Sequence, residues 1–319
     1  KIKNKRTQNE FAFKIIHPKV KKELKLFKKI LKLVLWIPCL RNKLYNLVPV
    51  NYLQFLNNFE EQINMIKEAN YLLRMNYNYK DNNHIIIPQL IRCSESCLLM
   101  TYEEGKIMDK MDISDYQKTK IITLLYGFLS TNQLFDDVMH NDIHKANWKV
   151  QELSHDRYAL IIYDFGFCYQ KEPRDRPIIH MMTTLCESSD ENTDNTEDIL
   201  KMLQYFINDT TEETKQQIIK IIPDNFKADP REIFDIIIKL CNAANTIANS
   251  NGIQILITSI QCYKYFKDAG INNGNNLKND GYRMYRERYV DLINIYTTYN
   301  CFHEYRNYME DKLDKLDVP

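Results

Sequence analysis

The chain has 319 residues, room for a two-lobed domain or two modest ones, and its 44% hydrophobic and 12% aromatic content excludes global disorder. A net charge of +1 gives no general attraction to nucleic acid or membrane, so any electrostatic role has to be local. Eight scattered cysteines without a CxxC pair indicate reduced thiols in an intracellular setting, against a disulfide framework or a zinc site, and no apolar run reaches the ~20 residues of a membrane helix.

Residues 1–16 read as a polar turn and then a strand over 11–16, in which Phe11, Phe13 and Ile15 alternate. Residues 17–37 predict a helix with Pro18 near its start, where a missing N–H is tolerated. Lys22, Lys25, Lys29 and Lys32 recur opposite Leu24, Phe27, Leu31 and Val34, so the apolar side is expected in the core and the lysines in solvent. Contact of this helix with an anionic membrane surface is the alternative. A second helix is expected over 52–74, with Phe55, Phe59, Ile63 and Ile66 at helical spacing. "HIIIPQLIRCSESCLLMTYEEG" reads as two short strands around a turn at 93–96.

From Ser114, an N-cap residue, the pattern turns helical up to residue 139. "NWKVQELSHDRYALIIYDFG" then predicts two strands joined by the polar turn "ELSHDR", the second ending on Asp164. Residues 187–198 form an acidic, solvated loop, and helical patterns follow at 199–207, 214–222 and 231–248.

The chemistry concentrates in "HNDIHKANW", residues 140–148. His140 and His144 stand four apart, as in HExxH zinc sites, yet no glutamate follows His140 and the segment falls in a loop. Phosphoryl transfer accounts for more of the residues. It needs a carboxylate near the acceptor hydroxyl, an amide oxygen and a second carboxylate for Mg²⁺, and a cation for the nucleotide phosphates. Asp142 fits the first role, Asn147 and Asp164 the metal, and the strand pair between them brings loop and "YDFG" together. Lys14, on a strand, is the cation, and Glu68, on the second helix, is its expected partner. On this reading the two histidines brace the loop by hydrogen bonds.

These residues resemble those of the UbiB/AarF-like atypical kinases. "FAFKIIHPKV" is similar to that family's V-A-V-K-V-x-H-P-G-V segment and "QINMIKEANYLL" to its Q/E-x-D-x-x-x-E-A helix. "LLMTYEEGKIMD" is similar to the hinge segment L-T-M-E-Y-x-x-G, and "HNDIHKANW" to the loop H-x-D-x-H-x-G-N. The resemblance covers residues 10–170. It implies a protein-kinase-like fold that binds ATP and Mg²⁺, with Met100 and Tyr102 joining Lys14 and Glu68 on the nucleotide side, in a family tied to isoprenoid-quinone lipid metabolism. The chain departs from the pattern at Gln62, Ile63 and Asn64, where the family carries E-x-D, and at Ala146, where glycine is usual. The family's K-x-G-Q segment and alanine-rich nucleotide loop have no counterpart, and the chain begins about where a kinase's second strand would.

The expected fold is therefore α+β, protein-kinase-like and two-lobed. A small strand-plus-helix N-lobe, read as truncated, spans 1–110, and a larger, mainly helical C-lobe spans 111–319. The expected activity is that of an ATP- and Mg²⁺-dependent kinase or ATPase. Its expected partners are ATP and a lipid-related or protein acceptor, with peripheral membrane contact and no nucleic acid. Two alternatives stay open: a small-molecule phosphotransferase of the aminoglycoside/choline kinase type, whose loop also reads H-x-D-x-H-x-x-N, and a non-catalytic pseudokinase scaffold.

Overall fold

The computed structural model describes residues 1–268 except 81, 135, 155–156, 173–174, 176–177, 180–195, 208–210, 223–229 and 245. Most of the acidic loop expected at 187–198 lies outside the described residues, and so does the C-lobe beyond 268.

Four strands make the first sheet, in the order β1 (Ile2–Lys3), β2 (Glu10–Ile15), β5 (Cys97–Thr101) and β4 (Leu90–Cys93), all antiparallel. Directly opposite residues of an antiparallel pair point to the same face. Lys14 opposite Leu98 and Ala12 opposite Met100 thus share one side of the sheet. A second sheet runs β3 (Ile85–Ile86), β8 (Arg157–Ile162), β7 (Trp148–Ser154). Its central strand is buried throughout from Tyr158 to Ile162, which is why that stretch reads as a continuous apolar run. A short pair, β6 (Val138–His140) with β9 (Cys168–Gln170), brackets the 140s loop and the DFG turn.

Between β2 and β3 lie four helices: α1 (Val20–Trp36), α2 (Pro38–Leu47), α3 (Tyr52–Gln62) and α4 (Met65–Tyr79). The single helix expected over 52–74 is two, because Asn64 interrupts it. Asn64 Oδ1 accepts from the backbone N–H groups of Ile66 and Lys67, each at 3.1 Å, and so starts a new helix. Helix α2 was not expected; Pro38 opens it at a position where its fixed φ suits a first turn. The expectation for α1 also needs correcting. None of its residues is buried; Leu24, Leu31 and Val34 are half-buried, while Phe27 stands in solvent. Leu26, Ile30 and Leu33 make a second apolar side, and only one side can face α2 and α3.

Helix α5 (Asp115–Leu134) begins as expected, with Ser114 Oγ accepting from Gln117 N at 3.3 Å. It stops short of residue 139 because the chain leaves as β6, and the Lys171 ammonium donates to the freed Asn132 and Gln133 carbonyls at 3.0 and 2.7 Å. Helices α6 (Thr196–Ile207), α7 (Glu212–Ile221), α8 (Pro230–Ala243) and α9 (Ser250–Asp268) complete the described chain.

Two apolar cores result. One joins α4, α5 and the second sheet through Leu72, Leu98, Phe128, Trp148, Leu160 and Phe165, and it spans both sides of residue 110. The other lies among α6 to α9 around Phe206, Ile237 and Leu256. A strap fastens the α2–α3 connection to the second core: Ala248 N donates to Pro49 O at 2.6 Å and Asn242 Nδ2 to Asn46 O at 3.3 Å, just before α9. No helix among the described residues is long and apolar enough to cross a membrane.

Candidate functional site

Strand β2 aims Lys14 from the sheet toward the first turn of α4, where the Asn64 cap has set Glu68. The ammonium donates to both Glu68 oxygens, at 2.8 and 3.0 Å, and to Asp164 Oδ1 at 2.6 Å. Glu68's side chain is 0% exposed, so Lys14 neutralises a carboxylate that water does not reach. Burial alone would lower the Lys14 pKa, but the attraction of Glu68 and Asp164 outweighs it and raises it. Burial raises Glu68 in spite of Lys14. It pushes Asp164 the same way, but there Lys14 wins and holds the carboxyl below its ordinary value.

Asp164 sits at φ 65°, ψ 79°, the left-handed region that few side chains tolerate, and its carboxylate accepts from Gly166 N at 3.4 Å. A Cβ on Gly166 would stand 3.0 Å from Gln62 O and 3.3 Å from Glu68 Oε2. The glycine of the DFG turn is what lets that turn approach the Lys14–Glu68 pair so closely.

On the 140s loop both histidines use Nδ1 to accept a backbone N–H two residues on: Asp142 N to His140 at 3.2 Å and Ala146 N to His144 at 3.1 Å. That fixes the proton on Nε2, which His140 turns toward Tyr163 O at 3.5 Å and His144 toward Asp142 Oδ2 at 3.6 Å. His140 is fully buried, and burial lowers its pKa from 6.5 to about 4. A neutral native histidine contributes stability that is complete above pH 6.5 and lost as pH falls toward 4. The full shift is worth about 3 kcal/mol. We expect urea midpoints to fall between pH 7 and 4.5, and His140→Gln to remove most of that acid sensitivity; an unchanged pH slope in the variant would contradict this.

Asn147 Nδ2 donates to Asp142 O at 2.8 Å and to Asp142 Oδ2 at 3.3 Å, which turns its amide oxygen away from Asp142. Burial raises the Asp142 pKa, opposed by His144. Two residues that the sequence motifs did not reveal complete the surroundings, both on α9. Thr258 Oγ1 donates to Asn141 Oδ1 at 3.2 Å, and Gln261 hydrogen-bonds the Asp142 carboxylate. Gln254, Thr258 and Gln261 form a polar stripe at steps of four and three beside Ile253, Ile255, Leu256, Ile257 and Ile260, a signal the sequence did contain. Met100 lies in the first core, and the half-buried Tyr102 ring lies under the Lys1 and Lys149 ammonium groups at 4.3 and 5.3 Å.

No three His, Cys, Asp or Glu side chains among the described residues group as a metal site. Mg²⁺ does not require such a cage. It keeps several waters and takes one or two protein oxygens beside substrate phosphates. A carboxylate at Asp164 and an amide oxygen at Asn147, whose Nδ2 is the end turned to Asp142, are of the donor type that demand calls for.

The description ABC1 atypical kinase-like domain matches residues 3–197. Over 155 residues the chain is 26% identical to the probable serine/threonine-protein kinase abkC of Dictyostelium discoideum, covering 46% of this chain and 22% of that relative's length. Among solved structures, the Rv3197–erythromycin complex from Mycobacterium tuberculosis aligns with a TM-score of 0.42 at 16% identity, over 83% of this chain and 72% of that one. The Rio2 kinase–ADP/Mg²⁺–phosphoaspartate complex from Chaetomium thermophilum aligns at 0.31 and 11%, over 65% and 55%.

Proposed function

Because the chain belongs to the ABC1 atypical kinase-like (UbiB) family, we propose that its protein-kinase-like fold is an ATP- and Mg²⁺-dependent phosphotransferase acting through the residues above. The observation that carries this reading is the joint contact of Lys14 with Glu68 and Asp164, residues 54 and 150 positions away in sequence. Lys14 holds nucleotide phosphates, and Glu68 keeps the ammonium charged and aimed. Met100 and Tyr102, on the cleft side of β5 and just past its end, flank the base. Asp142 accepts the proton of the acceptor hydroxyl as its oxygen bonds to the γ-phosphorus and ADP leaves. Asn147 and Asp164 would hold Mg²⁺, and the chemistry that ion would supply there is positive charge beside the transferring phosphoryl group. The lobes divide near residue 110. A lipid-linked hydroxyl is the acceptor class to test first, given the family's tie to quinone lipids.

A thermal-shift titration tests the nucleotide part. MgATP at about 100 times its dissociation constant should add about 2.7 kcal/mol. Asp164→Asn should abolish the Mg²⁺-dependent share of the shift. A wild-type chain indifferent to MgATP would overturn the reading in favour of a pseudokinase scaffold.

A further inference from the structure

Helices α1 and α2, residues 20–47, form the most unusual surface of the molecule. Lys21, Lys22, Lys25, Lys28, Lys29, Lys32, Arg41 and Lys43 stand against one acid, Glu23, a net +7 in 28 residues. With the whole chain at +1, the remaining residues carry −6. Of these cations, Lys28 alone has an ion pair among the described residues, with Glu60 at 2.8 Å.

Along the same helices a row of apolar side chains faces outward. Leu26 is 59% exposed, Leu33 59% and Trp36 78%, with Phe27, Ile30, Leu40 and Leu47 also exposed. At 100° per residue Leu26, Ile30 and Leu33 fall within one narrow stripe, and Lys22, Lys25, Lys29 and Lys32 flank it on one side. The opposite side of α1, through Leu24, Leu31 and Val34, is already occupied by its packing on α2 and α3.

We propose that the α1–α2 face docks on an anionic membrane surface, with Leu26, Ile30, Leu33 and Trp36 entering the interfacial layer and the flanking lysines meeting lipid phosphates. The charge complementarity selects this occupant. Anionic headgroups satisfy a one-signed row of lysines along its whole length, and the same surface accepts an adjacent apolar stripe. An indole at the end of the helix suits the boundary between headgroups and acyl chains. The inference stands on charge and exposure alone and does not depend on the phosphotransfer reading.

The test is sedimentation of the full chain with phosphatidylcholine vesicles, with and without phosphatidylserine at roughly a third of the lipid. Binding should be at least about tenfold tighter to the anionic vesicles and should weaken with salt. Reversing Lys22, Lys25, Lys29 and Lys32 to Glu should abolish it. Leu33→Ser with Trp36→Ser should lower it about tenfold, with the urea midpoint of each variant near wild type. Equal binding to both vesicle types, or variants that bind as tightly as wild type, would overturn the proposal. So would a Trp36 indole that an aqueous quencher fails to reach in the free monomer, which would mean that the chain covers this face itself, Trp148 being buried. A dimer that Trp36→Ser dissociates would assign the face to a second copy and overturn it as well.

Discussion

If Asp142 is the general base proposed above, Asp142→Asn is expected to lower turnover of MgATP by about 10²–10⁴-fold, the usual share of such a group, and to leave nucleotide affinity nearly unchanged. Asparagine occupies the same space but cannot take up the acceptor's proton. The loop keeps its shape because Asn147 Nδ2 bonds the backbone oxygen of residue 142 at 2.8 Å and His140 Nδ1 accepts its N–H at 3.2 Å, neither of which needs the carboxylate. Lys14, Glu68 and Asp164 contact one another without Asp142. Steady-state kinetics together with a MgATP thermal shift would show it. A loss of less than tenfold would remove Asp142 from the chemical step.

Lys14→Met should reduce both turnover and stability. Glu68 keeps its buried position and loses the ammonium that satisfied both of its oxygens. Stranding a buried polar group costs on the order of 1–3 kcal/mol. The cost is tempered because Glu68 can take a proton, which burial already favours. The pH dependence follows from that sign. A carboxyl with a raised folded pKa supports stability below its unfolded value and loses that support as pH rises through the folded pKa. The variant should therefore be weakest above neutrality, and urea midpoints at pH 5 and pH 8 would display the difference. Adding Glu68→Leu should recover stability without recovering turnover; failure of the double variant to recover would mean that Lys14 supports the fold in some other way.

The residues proposed to carry this chemistry were legible in sequence for a local reason. Lys14 sits in a period-2 stretch, Asp164 stands two residues past an unbroken apolar strand that ends at Ile162 and not, as the sequence suggested, on Asp164 itself, and Asp142 with Asn147 lie in a loop between patterned elements. What escaped was information that the hydrophobic period does not hold. The spacing of Phe55, Phe59, Ile63 and Ile66 runs through the break between α3 and α4, so the period predicts one helix where the Asn64 cap makes two. Thr258 and Gln261 come 117 and 119 positions after Asn141 and Asp142, and their polar stripe on α9 names no partner. The outward face of α1 was hidden differently. Two apolar sides share one helix, and the sequence does not say which of them the neighbouring helices take.

The strap between Pro49 and Ala248 lies on the segment of chain that joins Lys14 to Glu68, and its far end is just before the helix that carries Gln261 to Asp142. Parting the α2–α3 connection from the start of α9 has to stretch or unclip that contact. A displacement of the Pro49 side relative to Ala248 would therefore be felt at residues that touch neither Lys14 nor Asp142.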